Sequence, residues 1–280
     1  MKIKEMKNNF VNSSPRISYK KIGKGPPIIF LHGLGGNSTN WEEQQLFLSE
    51  TFTTIAWDAR GYGNSEDYDG PLKFSDFSKD LGRLLEHLQI NKAHLVGLSM
   101  GGRILMNFFA DYKDKIATMT LCDCYYNFKN FLNPRERREY IDIRQKPIKE
   151  GKSLTELAPK IIKSLVSSNC SEKVKKKVYD SLSKIHPESY LKTIKETVNY
   201  DVSSDLSKFD IPVQLIYGEN DVLTPPSLGN SLKNKIKNSQ LNIIKKSGHL
   251  SNMEQPEIFN RILFKFLSIH KNKANFYRNK

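Results

Sequence analysis

Short apolar, β-rich runs alternate along the chain with longer stretches in which apolar residues recur every three or four positions. The runs at 28–31, 52–57, 93–96, 116–121, 213–217 and 241–244 have strand length and little polar interruption, as expected of strands covered on both faces. Between them, 74–88 spaces Phe74, Phe77, Leu81, Leu84, Leu85 and Leu88 along one helical stripe, and 103–112 does the same with Ile104, Leu105, Phe108 and Phe109. A closing helix is predicted over 256–267. This alternation predicts an α/β fold with a mostly parallel central sheet flanked by helices. It stops between 125 and 205, where no buried strand is evident. Helical spacing takes over there, first with Leu157, Ile161, Ile162 and Leu165, then with Val174, Val178, Leu182 and Ile185. Pro134, Pro147, Gly151, Pro159 and Pro187 are expected to break these helices. The pattern therefore predicts a core of residues 1–124 and 206–280 with a helical cap, 125–205, inserted after the strand that ends near Cys122. Such an insertion leaves from the carboxyl ends of the strands, the edge on which open parallel sheets carry their sites.

Composition narrows the class. With 280 residues, 38% of them hydrophobic, the chain suits one large α/β domain with an inserted subdomain and not a disordered polymer. No apolar run nears the ~18–20 residues a membrane-spanning helix needs, and the basic, polar first ten residues lack a signal-peptide core. Cys122, Cys124 and Cys170 fit neither a metal-ligand spacing nor a disulfide framework, and read as reduced thiols. A cytoplasmic protein without a membrane partner is expected. The net charge of +14 is concentrated at 173–177 and 271–280, without an interleaved nucleic-acid motif. It reads as solvated lysine-rich helix faces with a general attraction for anionic substrates, and no nucleic-acid partner is expected.

Chemistry concentrates in a few turns. Gly97-Leu98-Ser99-Met100-Gly101 follows a buried strand and opens a helix, the arrangement of a nucleophile elbow. The chain must reverse so sharply that the serine is held forward in a strained conformation and its neighbours tolerate little beyond glycine. Ser99 is the candidate nucleophile, and a serine hydroxyl needs a base. His32, His87, His94, His186 and His270 sit in a turn, a strand or helical contexts. His249 follows Gly248 in a loop between the last strand and the closing helix, and is the candidate base. The orienting acid should lie between Ser99 and His249, just after a strand. Asp221 in Gly218-Glu219-Asn220-Asp221 fits best, with Glu219 and Asp123 as rivals. The glycine-rich loop 32–36 and the residue after Ser99 suggest an oxyanion hole made of the Leu34 and Met100 backbone N–H groups. That loop lacks the Gly-x-Gly-x-x-Gly or P-loop lysine pattern of a nucleotide cradle, so no cofactor and no metal are expected. The stretch 58–65 reads as architecture, and Trp41 as a core residue.

Five motifs in order, HGLGG (32–36), DARGYGNS (58–65), GLSMGG (97–102), GENDVLTP (218–225) and GHLSNMEQPE (248–257), resemble those of the α/β-hydrolase superfamily. GLSMGG and HLSNMEQPE are most similar to the 3-oxoadipate enol-lactonase group. The resemblance implies a cofactor-free serine hydrolase with Ser99, Asp221 and His249 as its triad, a helical cap over the pocket, and a small ester or lactone as substrate. Carbon–carbon bond hydrolases of meta-cleavage products keep the serine and are the alternative enzyme. A non-catalytic hydrolase-fold receptor is the alternative from outside enzymology. An enol-lactone carries a carboxylate, which calls for a pocket cation. Arg135, Arg137, Arg138 and Arg144 are available in the cap, but each reads as a solvated helix residue.

Overall fold

In the computed structural model, which describes residues 6–12, 14–202 and 206–277, the apolar runs form the centre of one twisted sheet. Its strands are β1 (Asn8–Val11), β2 (Ile17–Ile22), β3 (Pro27–Leu31), β4 (Thr53–Trp57), β5 (Ile90–Leu98), β6 (Ile116–Cys122), β7 (Val213–Gly218), β8 (Ser239–Ile244) and β9 (Asn275–Phe276). Their order is β1-β2-β4-β3-β5-β6-β7-β8, with β9 on the start of β5. Every pair from β4 to β8 is parallel, while β1, β2 and β9 pair antiparallel. The mostly parallel sheet is thus as the pattern predicts, and β3, β4, β6 and β7 are buried along their whole length. The pattern gives no sign of β1 and β2. They form an edge hairpin whose outer residues, Asn8, Asn9 and Lys21, face solvent, so no apolar run marks them.

Helices cover the sheet: α1 (Glu42–Leu48), α2 (Phe74–His87) and α3 (Met100–Tyr112) precede β6. The predicted stripes face inward, with Phe77, Leu81 and Leu84 of α2 and Ile104, Leu105 and Phe108 of α3 fully buried. Trp41 is also fully buried, with ring centroids 5.0 Å from Phe30 and 6.1 Å from Phe259, in keeping with a core role.

Between β6 and β7 lie α4 (Phe128–Phe131), α5 (Pro134–Lys149), α6 (Leu154–Leu165), α7 (Glu172–Leu182) and α8 (Pro187–Thr197). A bridge between Asn127 and Asp201 pins the two ends of this excursion together. The boundary expected at 205 falls outside the described residues. Two of the expected breaks are not breaks. Pro134 and Pro187 start helices, where a missing N–H costs nothing, but Pro147 and Pro159 lie inside α5 and α6. Pro147 falls in the last turn of α5, just before Gly151 turns the chain at φ +90°. In α6 the buried side chains of Leu154 and Ile162 contribute about 1.5–3 kcal/mol each, enough to offset the ~3 kcal/mol of an interior proline. After β7 come α9 (Pro226–Lys235), α10 (Ser251–Glu254) and α11 (Pro256–Ile269). No helix among the described residues is long and apolar enough to cross a membrane.

Candidate active site

Ser99 stands between β5 and α3 with φ 50° and ψ −107°, a conformation unfavourable for any residue with a side chain. Its N–H donates to the Cys122 carbonyl at 2.8 Å, and its own carbonyl accepts the Arg103 N–H at 3.1 Å. The reversal is tight. A Cβ on Gly97 would lie 2.5 Å from the Gly101 carbonyl carbon, and one on Gly101 would collide with the Leu31 carbonyl of β3. Small residues here are therefore a packing requirement imposed by strand–helix approach.

The loop after β3 lies against this turn, for a Cβ on Gly33 would sit 3.4 Å from the Ser99 Cβ. His32 fixes the loop. Its Nδ1–H donates to the Gly33 carbonyl at 2.9 Å, and its Nε2 accepts the Ala59 N–H at 3.0 Å. Burial keeps this ring below the ordinary imidazole range and neutral, which the acceptor role of Nε2 requires. The Leu34 and Met100 N–H groups donate to no oxygen among the described residues. The 58–65 stretch is structural, as its composition suggests. Asp58 accepts the Ser38 N–H at 2.7 Å and the Asn64 N–H at 2.9 Å, and Arg60 pairs with Asp80 at 2.6 Å.

On the far side of β6, Asp221 and His249 meet. Asp221 Oδ2 lies 2.7 Å from His249 Nδ1. The same carboxylate accepts the Leu223 N–H at 2.8 Å, the Thr224 N–H at 3.0 Å and the Thr224 hydroxyl at 2.6 Å. Burial opposes the Asp221 charge, but His249 and these donors hold its carboxyl below the ordinary range. Burial likewise pulls His249 down, yet the charge and hydrogen bond of Asp221, with the Asp123 field, together more than compensate and leave the imidazole above its ordinary range. Of the rival acids, Glu219 faces outward and accepts the Lys246 N–H at 3.2 Å. Asp123 is buried beside the pair without bonding to it. It accepts the Gly218 N–H at 2.7 Å and the Ser251 hydroxyl at 2.6 Å. Burial, with the neighbouring Asp221 charge, pushes its carboxyl up to about 8.

Ser99, Asp221 and His249 thus lie on one edge of the sheet and are nearly buried, at 8%, 3% and 5% exposure. Ser99 Oγ and His249 Nε2 are not hydrogen-bonded to each other, and neither has another protein partner among the described residues. Such bonds are often long in ligand-free sites and tighten when substrate excludes water. Helices of the 125–205 excursion cover both loops. The His249 N–H donates to the Leu165 carbonyl at 2.8 Å, and a Cβ on Gly35 would sit 3.1 Å from Leu182 Cδ2. The other histidines stand apart: His94 is buried against Thr118 at 2.8 Å, His87 contacts Tyr19, His186 contacts Asp67 and His270 lies on Phe266. All three cysteines are free, and no cluster of three or more metal-ligating side chains occurs among the described residues.

One buried charge whose field reaches His249 escapes the sequence reading. Arg103, four positions after Ser99 on α3, is buried and has no acidic partner among the described residues. Its spacing from Ser99 was the available signal. Of the arginines that the sequence offered, Arg135 pairs with Glu139 in the open and Arg138 is exposed, as solvated residues do, whereas the half-buried Arg137 donates to the Lys129 carbonyl and the half-buried Arg144 lies on the Tyr140 ring.

Asp123 gives a stability signature. Between about pH 4 and about pH 8 the folded state holds a proton that an unfolded carboxyl has released, so stability falls as pH rises through that window. Asp123→Asn keeps the Gly218 bond on its oxygen and meets Ser251 Oγ with its nitrogen as donor, without the titration. Its stability relative to the parent is expected to climb from about pH 5 to about pH 8 and then level off in denaturant unfolding. A difference that does not vary with pH would contradict the buried, proton-holding carboxyl.

The α/β hydrolase fold family model matches residues 26–256. The 3-oxoadipate enol-lactonase 2 of Acinetobacter baylyi is 26% identical over 263 residues, covering 93% of this chain and 96% of that protein. The structure of a thermophilic esterase from Thermogutta terrifontis superposes with a TM-score of 0.84 at 25% identity, covering 95% and 99% of the two chains. A bromoperoxidase from Bacillus anthracis superposes with a TM-score of 0.84, also at 25% identity, covering 94% and 100%.

Proposed function

The chain belongs to the α/β-hydrolase family, and from that premise we propose that it is a serine hydrolase cleaving a small carboxylic ester or lactone. The observation that carries this reading is the His249 ring. Its Nδ1 is committed to Asp221 at 2.7 Å, and its Nε2 is left without a protein partner among the described residues, on the edge that carries Ser99. An imidazole so oriented has its basic nitrogen free for a hydroxyl proton.

Ser99 Oγ adds to the substrate carbonyl as His249 Nε2 takes its proton. The negative charge that forms on the carbonyl oxygen is held by the Leu34 and Met100 N–H groups, the latter at the positive end of α3. Collapse of the tetrahedral intermediate breaks the ester bond, and the departing alkoxide takes the proton back from His249. Water then attacks the acyl-enzyme with the same ring as base, and the acid leaves. Asp221 keeps the ring in the tautomer that accepts at Nε2 and offsets the charge it gains. The 125–205 helices act as the cap that keeps bulk water from the intermediate. The enol-lactonase relative and the esterase neighbour support this chemistry.

Two assays test it together. A serine-directed fluorophosphonate is expected to label the wild type at Ser99, and a panel of nitrophenyl esters, enol-lactones and dienones is expected to show turnover of the first two. Absence of labelling and turnover would return the chain to the ligand-receptor alternative. Cleavage confined to dienones would make it a carbon–carbon hydrolase.

A further inference from the structure

The loop that carries the base is held by a carboxylate with no part in the chemistry above. Glu254 ends α10, a single turn that follows His249 closely. Its Oε1 accepts the Gly248 N–H at 2.9 Å. Its Oε2 accepts the Ser167 N–H at 2.9 Å and the Ser167 hydroxyl at 2.6 Å. Gly248 directly precedes the base, whereas Ser167 lies two residues past the end of α6 in the cap. The two oxygens of one half-buried carboxylate therefore bridge the base loop and the cap, each aimed at donors that a negative charge binds well. Two further contacts cross the same seam. The His249 N–H donates to the carbonyl of Leu165, one of the carbonyls that the end of α6 leaves without a helical partner. A Cβ on Gly248 would lie 2.7 Å from the Ser167 nitrogen and 2.9 Å from the Val166 carbonyl carbon, so only glycine lets the loop come this close. On its other side Gly248 abuts the end of β7, where a Cβ on Gly218 would lie 2.0 Å from the Gly248 carbonyl oxygen. The residue before the base is thus wedged between sheet and cap.

We propose that Glu254 is a positioning residue for the base: it fastens the loop carrying His249 to the end of α6, so that the seating of the ring depends on the cap. This deepens the hydrolytic reading of Ser99 and rests on it. The Asp221 bond fixes the tautomer of the ring and one end of it, but the backbone behind the ring has to be held by other groups. Glu254 holds that backbone at Gly248, and the Leu165 carbonyl holds it at His249. A shift of about 1 Å between groups that exchange a proton is enough to cost about 100-fold in rate. A cap that lifted at 165–167 would release the base with it, so the cap does more than exclude water. A carboxylate suits the place because both of its ends meet donors, whereas a glutamine would set its own NH2 against one of them. A staple that served folding alone would make the same three bonds, and the two roles differ in what their loss does to kcat.

The test measures kcat and KM on nitrophenyl butyrate, and the rate of fluorophosphonate labelling, at a temperature where thermal melts show every variant folded. The variants are Glu254→Ala, Glu254→Gln, Ser167→Ala, and Glu254→Ala combined with Ser167→Ala. Glu254→Ala is expected to lower kcat and the labelling rate alike by roughly 10–100-fold, with KM changed less than about threefold. Glu254→Gln, whose amide oxygen suits one side and whose nitrogen opposes the other, is expected to fall between. Ser167→Ala is expected to lose a few-fold alone and nothing further beside Glu254→Ala, because its hydroxyl acts through the carboxylate. A lower melting temperature with kcat at the parent value marks a folding staple and overturns the proposal, as does full additivity of the two substitutions. Hydrogen exchange separates this from the reading it rests on. The Ser167, Gly248 and His249 amides are expected to exchange slowly in the parent and to speed up together by about tenfold or more in Glu254→Ala. If no ester turns over and the probe leaves Ser99 unlabelled while these amides still loosen together, hydrolysis fails and the fastening of loop to cap stands. If the Ser167 amide responds alone, or none responds, the fastening fails. Should Glu254→Ala not fold, Glu254→Gln carries the same comparisons in its place.

Discussion

Ser99→Ala is expected to lower kcat on the order of 10⁴–10⁶-fold, leaving a residue due to binding and the oxyanion donors. The variant retains the Leu34 and Met100 amides and the Asp221–His249 pair, so substrate still binds and the loss falls on kcat with little change in KM. Burst kinetics and fluorophosphonate labelling should both vanish, and turnover above about one-thousandth of the parent would remove Ser99 from the nucleophile's role. The same position makes a separate statement about stability. Alanine has a Cβ and inherits the strain of φ 50° and ψ −107°. Glycine does not, and relief of the ~1–3 kcal/mol stored there exceeds the 0.5–1 kcal/mol, roughly, that glycine loses in the unfolded chain. Ser99→Gly should therefore be more stable than Ser99→Ala in denaturant unfolding. The opposite order would mean that the elbow stores no strain and that its geometry is set elsewhere.

What could be read in advance follows the range of the interactions. β3, β6 and β7 are apolar throughout because both faces are covered, and a local pattern reveals them. The β1–β2 hairpin is half exposed, and its place depends on β4, with Tyr19 opposite Trp57, so nothing local announces it. Pro159 misleads for the same reason: the burial that keeps α6 intact across it is supplied by distant residues. In the site, the turns at 32–36 and 97–101 are local motifs in which short-range sterics dictate glycine. The choice of Asp221 over Asp123 is not local at all. Both follow strands and both are buried, and only the approach of His249 to one of them separates the pair. Arg103 was hidden because its position continues an ordinary helical pattern; what sets it apart is a missing partner, which no sequence displays.

Asp221→Asn is expected to cost about 10⁴-fold in kcat. The carboxylate accepts the His249 Nδ1 proton at 2.7 Å, and an amide nitrogen in its place donates instead. The ring then carries its proton on Nε2, the nitrogen that must be empty to activate Ser99. The pH profile distinguishes this from simple misfolding. In the wild type burial lowers the His249 pKa, but the Asp221 charge and hydrogen bond, with the Asp123 field, together raise it above the ordinary imidazole value, so activity falls on the acid side as the ring gains a proton. With the charge gone, burial and the Arg103 field act on His249 unopposed by their main counterweight, and the residual activity should keep its plateau to lower pH. Asp123→Asn gives the contrast. Its carboxyl, pushed up to about 8, bonds to Gly218 and Ser251 and not to the ring, so its removal should cost far less than 10⁴-fold. If the two variants exchanged these outcomes, the acid that orients the base would be the one after β6, and the bond seen between Asp221 and His249 would belong to a resting arrangement that catalysis abandons.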